Sequence, residues 1–314
     1  MYHDNTLLEI EIGKALRASG ISASTIEFFR DNNNITTYLI DSIYIFKIST
    51  SILNEQAKYN RVRSIQFVPR VYSSGSFTIS DYKYHYMIID YVQGNELWSV
   101  VNSLTDKEKY EIGKEIAQFL NYLHSLTNDY YDIGHYIPTI PRYSKSWKEG
   151  HLEYIKILQN GLSEINIETD SQKIIANSFE YIYTNIDSLD YQAGAKLLHN
   201  DFHPKNIIVH KGRLAGIIDW ECSQFGEADF ELSHLFHWCI YPMVQENNLD
   251  VLLKSIIKNL QTILTVPDIE KRMTIYQLEH ELNQLIWNGK RQEEERIYRI
   301  NGWLNGKIAA FMKL

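Results

Sequence analysis

Cysteine is nearly absent from this chain: Cys222 and Cys239 are the only two in 314 residues. No disulfide framework can be built from them, and a reducing cytoplasm is the expected setting. No apolar run approaches the roughly 18 residues of a membrane span. The opening Met1-Tyr2-His3-Asp4 has neither the basic nor the apolar part of a secretory signal, so no membrane association is expected. Positive charge is also short, with 31 Lys and Arg against 39 Asp and Glu and a net charge of −8. A nucleic-acid binder would carry a basic stripe, so nucleic acid is not an expected partner, whereas a cationic small molecule is compatible. Proline is sparse, and no repeat or low-complexity linker interrupts the chain. Glycine is missing altogether between Gly20 and Gly75, which rules out a glycine-rich phosphate loop over that stretch.

What is present is most concentrated between His199 and Trp220, HNDFHPKNIIVHKGRLAGIIDW. Asp201 is followed by Asn206, and Asn206 by Asp219. Two apolar runs, Ile207-Ile208-Val209 and Ile217-Ile218, frame a turn at Lys211-Gly212. That order reads as a loop, then a β-hairpin whose second strand ends in an acidic residue. Folding the hairpin back returns Asp219 to the neighbourhood of Asn206. Phosphoryl transfer needs these groups in this order, because it asks a protein mainly to position reactants and neutralise charge. Asp201 suits the role of the base that orients an acceptor hydroxyl. Asn206 and Asp219 offer the hard oxygen donors that Mg²⁺ prefers, against the phosphates of ATP or GTP.

The segment resembles the catalytic core of the aminoglycoside phosphotransferase and choline kinase superfamily. The pattern H-x-D-x-x-x-x-N is matched by His199, Asp201 and Asn206, and the metal strand by Ile218-Asp219-Trp220. Residue 200 is Asn where protein kinases carry Arg, and Trp220-Glu221 replaces Phe-Gly. The resemblance therefore implies a small-molecule kinase without a phosphorylated activation loop. It also implies an α+β, protein-kinase-like bilobal fold. A small antiparallel sheet would form a nucleotide-binding lobe over residues 1–93. A mainly helical catalytic and substrate lobe would follow over 94–314.

The order of elements agrees. A helix is expected over residues 5–18, then strands at 25–29, 36–40 and 43–48, the last two joined at Asp41-Ser42. Lys47 lies on the third strand. The resemblance gives it the nucleotide phosphates and makes Glu55, on the next helix, its partner. The strand Met87-Ile88-Ile89-Asp90 running into Tyr91-Val92-Gln93-Gly94 reads as a hinge, with the Asp90 carbonyl and Val92 N–H facing the base and Ile89 at the gate. The polar run Asp31-Asn32-Asn33-Asn34 stands where a glycine-rich turn would be. Thr105 and Glu108 form a capping box opening a helix that ends near Leu123-His124. Further helices are expected near 147–158, 171–186, 276–287 and 293–304.

The acceptor is the least determined part. His237 and Trp238, after the Asp219 segment, and Glu246 are the candidate substrate residues, with Glu221 and Glu231 as further carboxylates that could draw a cation. Asp229 matches a family Asp that braces the catalytic loop. The leading reading is an aminoglycoside-type acceptor. A metabolic kinase of choline, a sugar or homoserine is the alternative, and a non-catalytic pseudokinase binder the third.

Overall fold

β-Branched and aromatic residues dominate residues 26–49, and there the chain forms three antiparallel strands: β1 (Ile26–Asn32), β2 (Ile35–Ile40) and β3 (Tyr44–Ser49). The structure, a computed structural model, describes residues 5–32, 35–50, 53–132, 143–191, 193–241, 248–260, 263 and 265–312. It divides into two compact units, Met1–Ser99 with Lys205–Cys222, and Val100–Pro204 with Ser223–Leu314. The lobes read from the sequence part at residue 93. The compact units also place the later hairpin with the N-terminal residues.

In the first unit, β4 (Val71–Ile79) and β5 (Tyr82–Asp90) complete an antiparallel sheet of order β1-β2-β3-β5-β4. The expected N-terminal helix is α1 (Asn5–Ala18). Its Ile12, Ala15 and Leu16 pack with Ile40, Phe46, Ile48 and Ile88 into one apolar cluster. Strand side chains alternate, so Lys47, between Phe46 and Ile48, leaves the other face. It meets α2 (Leu53–Val62) there.

Glycine scarcity is answered in the turns. Asp41 and Ser42 both have positive φ (48° and 56°), as do Ser80 and Asp81 (46° and 69°), and Lys211 with Gly212 (50° and 71°). The last two are two-residue hairpin turns, whose left-handed central residues match strand twist, while the first adds Ile43 between the paired Ile40 and Tyr44. Asp41 steadies its own turn by accepting the Ser24 and Thr25 N–H groups at 2.9 and 2.6 Å. Lys211-Gly212 joins the strands Ile207–His210 and Arg213–Ile217, and Asn95–Glu96 adds a third strand to that sheet.

The second unit is mainly helical. Thr105 and Glu108 form the expected capping box on the helix Asp106–Leu123. That helix packs on Asp250–Asn259, where a Cβ at Gly113 would lie 2.6 Å from the Leu252 carbonyl oxygen. The helices Trp147–Ser163, Thr169–Asn185, Ile269–Asn288 and Glu293–Leu304 follow the expected ones, two of them longer at the C-terminal or N-terminal end. The short strand Ala195–Leu198 pairs with Gln224–Gly226 and Thr127–Asn128 and delivers the chain to His199. No described helix is long and apolar enough to cross a membrane, and the two cysteines form no disulfide.

Candidate active site

The first unit gathers one set of sequence-marked residues. Lys47 Nζ lies 2.5 Å from Glu55 Oε1 and 3.4 Å from Asp219 Oδ1. The Lys47 and Glu55 side chains are buried, while that of Asp219 is 39% exposed. Taking charges out of water costs several kcal/mol per ion, recovered only by close opposite charge. Burial works against the Lys47 ammonium, but Glu55 and then Asp219 outweigh it and hold its pKa above the usual lysine range. Lys47 is thus a fixed cation beside an accessible carboxylate.

Asp219 itself is held by backbone. The Ile218 N–H donates to the Asn206 carbonyl at 3.0 Å, so the hairpin brings Asn206 and Asp219 to one end. Trp220 is fully buried and donates its Nε1–H to the Ile217 carbonyl at 2.9 Å. The buried Tyr59 hydroxyl, one turn beyond Glu55, faces the Asp219 and Trp220 amides. Burial raises its pKa well above the ordinary phenol, so it stays neutral. Between these anchors Asp219 takes φ 67°, a left-handed value that Asp tolerates better than most residues. A carboxamide oxygen and a carboxylate fit Mg²⁺, which commonly takes one or two protein carboxylates and leaves its other positions to phosphates and water. No cluster of three or more His, Cys, Asp or Glu suited to a metal occurs among the described residues. Asn206 and Asp219 are the residues that would hold the ion.

The expected hinge is in the same unit. The Asp90 carboxylate accepts the Arg70 N–H at 2.8 Å and the Tyr72 hydroxyl at 2.7 Å, and its own N–H donates to the Arg70 carbonyl. The Tyr91 N–H donates to the Ile43 carbonyl at 2.8 Å. Val92 packs on Gly216 so closely that a Cβ there would meet Val92 Cγ1 at 2.7 Å. Asp90 is therefore a brace for the segment, and its side chain is committed.

The second unit holds the loop with Asp201. Asn200 takes φ 63°, which favours Asn at a position where protein kinases carry Arg. Phe202 is fully buried and anchors the loop. The amides of His199 and Asn200 both donate to the Glu231 carboxylate, at 2.7 and 2.9 Å. Glu231 is fully buried, which corrects its place among carboxylates that could draw a cation. Asp229 instead receives Arg272 Nε and Nη2 at 2.7 and 2.8 Å, and Glu227 shares the same guanidinium. Bracing of the loop amides falls to Glu231.

The Asp201 side chain is 28% exposed, with His203 Nε2 at 3.5 Å and His234 Nδ1 at 3.7 Å from Oδ1. Burial alone would raise its pKa. The hydrogen bond from His203 and the nearby His234 overcome that and hold the carboxyl well below the usual range. Trp238 stacks on His203 with ring centres 5.0 Å apart. His237 is engaged elsewhere: Gln277 Oε1 lies 3.2 Å from Nδ1, and Arg299 Nη1 is 2.7 Å from Nε2. Glu246 lies outside the described residues. Sequence reasoning missed Tyr59 and His203, and it gave Glu231 and His234 other places than the ones beside the Asp201 loop. His203, two residues after Asp201, was the only one with a local signal.

Comparison with known proteins follows the same lines. The model of the phosphotransferase enzyme family matches residues 44–248, well over half of the chain. Among curated proteins, a LicA homolog of Mycoplasma capricolum is 25% identical over 205 residues, spanning 63% of this chain and 67% of its own. Hygromycin-B 4-O-kinase of Escherichia coli is 36% identical over 42 residues, 13% of this chain and 12% of that protein. Among solved structures, a thermostable mutant of the aminoglycoside phosphotransferase APH(4)-Ia with AMP-PNP and hygromycin B superposes with a TM-score of 0.71 at 15% identity, covering 95% of this chain and 99% of that one. APH(2")-IIa with streptomycin and ATP gives 0.67 at 20% identity, covering 99% of each chain. These likenesses show a shared mixed α+β fold, an antiparallel sheet followed by a helical part. The chain belongs to the phosphotransferase enzyme family, as a small-molecule kinase.

Proposed function

We propose that this enzyme transfers the γ-phosphoryl group of ATP or GTP to a hydroxyl of a small molecule, most plainly an aminoglycoside-type antibiotic. The observation that carries the donor half is Lys47, a buried cation fixed by Glu55 and set against Asp219. Lys47 would neutralise phosphate charge, and the base would meet the Asp90 carbonyl and Val92 N–H. Mg²⁺, held by Asn206 and Asp219, would supply further charge neutralisation on the phosphates. Asp201, kept ionised by its histidines, would orient the acceptor hydroxyl and take its proton. Residues 1–93 would serve chiefly the nucleotide and 94–314 the acceptor, in the cytoplasm.

The aminoglycoside reading is supported by what related structures hold: hygromycin B, streptomycin and gentamicin in their respective complexes. One local feature favours the metabolic alternative. His203, beside Asp201, has Trp238 stacked on it, and an aromatic face suits a single quaternary cation such as choline. The test is ATP- and GTP-dependent phosphorylation of a panel of aminoglycosides, choline, homoserine and neutral sugars, with KM followed against salt. Turnover of an aminoglycoside with a KM that rises steeply with salt supports the first reading. Turnover of choline or a sugar, with none of any aminoglycoside, supports the second. No phosphorylation of any acceptor together with no nucleotide binding would defeat both.

A further inference from the structure

Three histidines cluster behind Asp201 on two helices: His234 and His237 on Leu232–Ile240, and His280 on Ile269–Asn288. The His280 ring centre is 5.6 Å from that of His234 and 4.7 Å from that of His237. His203 and His234 approach the same oxygen of Asp201, yet they stand differently toward it. The His203 ring is stacked on Trp238 with its Nε2 3.5 Å from the carboxylate, whereas His234 Nδ1 comes to 3.7 Å from a helix and its ring leads on to His280.

We infer that His234 is the proton acceptor for Asp201, a positioning residue that restores the carboxylate after each turnover. The inference rests on the proposed role of Asp201. As the acceptor oxygen bonds to phosphorus and the bond from phosphorus to the β-phosphate oxygen breaks, the acceptor O–H proton passes to Asp201. The Asp201 O–H bond then breaks as a His234 Nδ1–H bond forms, leaving carboxylate and imidazolium. The imidazolium loses its proton to solvent, which its 17% exposed side chain reaches. The 3.7 Å separation is longer than a hydrogen bond, and catalytic contacts of this kind tighten when substrates bind.

The surroundings suit a brief stay of the proton. His203, His199 and Asp201 face His234 from the loop, Glu231 from the preceding turn, His237 from its own helix and His280 from the facing one. Arg296 and Arg299 stand behind His237 and His280. Burial lowers the His234 pKa, the Asp201 charge opposes this, and His203 adds to the lowering. A neutral ring is therefore ready to accept, and the ion it becomes is readily discharged.

The test compares H234Q, H234A and D201A by kcat against pH, with nucleotide KM and far-ultraviolet circular dichroism. The ring of the unaltered enzyme is followed by NMR titration. H234Q is expected to lower kcat by about tenfold, below the range for losing a primary acid or base, with nucleotide KM within about twofold. Its acid limb should move from that of the native enzyme, and added imidazole should restore turnover to H234A. The native His234 ring should be neutral at pH 7 and titrate with the acid limb of kcat. An unchanged acid limb in H234Q, no imidazole rescue, or a native ring titrating apart from kcat overturns the inference. If D201A retains full turnover, the role given to Asp201 fails instead.

Discussion

Glu231 and Asn200 are 31 residues apart in sequence, yet the fully buried carboxylate of one accepts the backbone N–H of the other at 2.9 Å. The same carboxylate takes the His199 N–H at 2.7 Å. An ionised acceptor makes each of these bonds stronger than a neutral one. They fix the left-handed step at Asn200, which in turn aims the next side chain, that of Asp201. The placement of Asp201 is therefore set from a helix turn far along the chain.

Replacing Glu231 by Ala should leave two buried amides without acceptors, a loss on the order of 1–3 kcal/mol each. Glu231→Gln keeps one carbonyl oxygen and should be milder. The expected outcome is a kcat lowered about tenfold or more in Glu231→Gln, with nucleotide affinity nearly unchanged. Turnover and denaturant unfolding measured on both variants check this. Native turnover in Glu231→Gln would remove Glu231 from the machinery.

The contrast between Glu231 and Asp229 shows where the sequence was legible. Period and turn chemistry marked α1, β3, the Thr105 cap and the Lys211-Gly212 hairpin, because each is specified by residues close in the chain. The hairpin then carries Asp219 back to Asn206, so that part of the site could be read as well. Glu231 could not, since its partners are backbone amides and no side-chain pattern records them. Asp229 carries a familiar spacing, but Arg272 from a distant helix claims its carboxylate. The strands Ala195–Leu198 and Gln224–Gly226 are too short to show a period, and their pairing is long-range.

Lys47 and Glu55 form a buried pair whose parts are costly alone. Removing either partner is expected to cost about 3–5 kcal/mol, since an uncompensated charge is left in the interior. Replacing both by apolar residues of similar volume, Lys47→Met with Glu55→Leu, should recover most of that stability while turnover stays lost. Denaturation of the two single variants and the double variant gives the coupling. If the double variant were no more stable than either single one, the pair would not be acting as a unit.

Gly216 matters for space and has no left-handed φ to defend. An added methyl would stand 2.7 Å from Val92 Cγ1 and 3.4 Å from the Phe67 carbonyl oxygen. Gly216→Ala should displace Val92, whose N–H is proposed to face the nucleotide base, at a stability cost of roughly 1–3 kcal/mol. Nucleotide KM is expected to rise several-fold while kcat changes less. A larger loss in kcat than in KM would separate Gly216 from base recognition.

The largely buried histidines make stability depend on acid. Burial, with Arg299 next to it, pushes the His237 pKa down to about 3, and burial lowers His234 and His280 as well. Each is neutral when folded, whereas an unfolded imidazole takes a proton near pH 6.5. The unfolded state therefore binds more protons below that pH, and stability falls as pH drops from about 6.5 toward about 3. Arg299 donates to His237 Nε2, so a proton on that nitrogen must break the contact. Thermal unfolding followed from pH 8 to pH 4 should show the decline. His237→Gln should flatten it, and an unchanged slope in that variant would place the acid sensitivity elsewhere.

Asp201 and Asp219 should fail in different ways when replaced. Asp219 lies beside Lys47 and at the Asn206 end of the hairpin, so Asp219→Ala should weaken Mg²⁺-dependent nucleotide binding as well as turnover. It also strips one anion from Lys47, leaving Glu55 as its close partner. Asp201 has imidazoles beside it, and its proposed work is on the acceptor. Asp201→Ala should therefore leave nucleotide affinity near native and lower kcat about a hundredfold or more, the scale of a positioned acid or base. Calorimetry with ATP at several Mg²⁺ concentrations, paired with turnover on the acceptor found in the panel, separates the two. Equal losses of nucleotide affinity in both variants would mean that the two carboxylates do not hold the separate roles given to them.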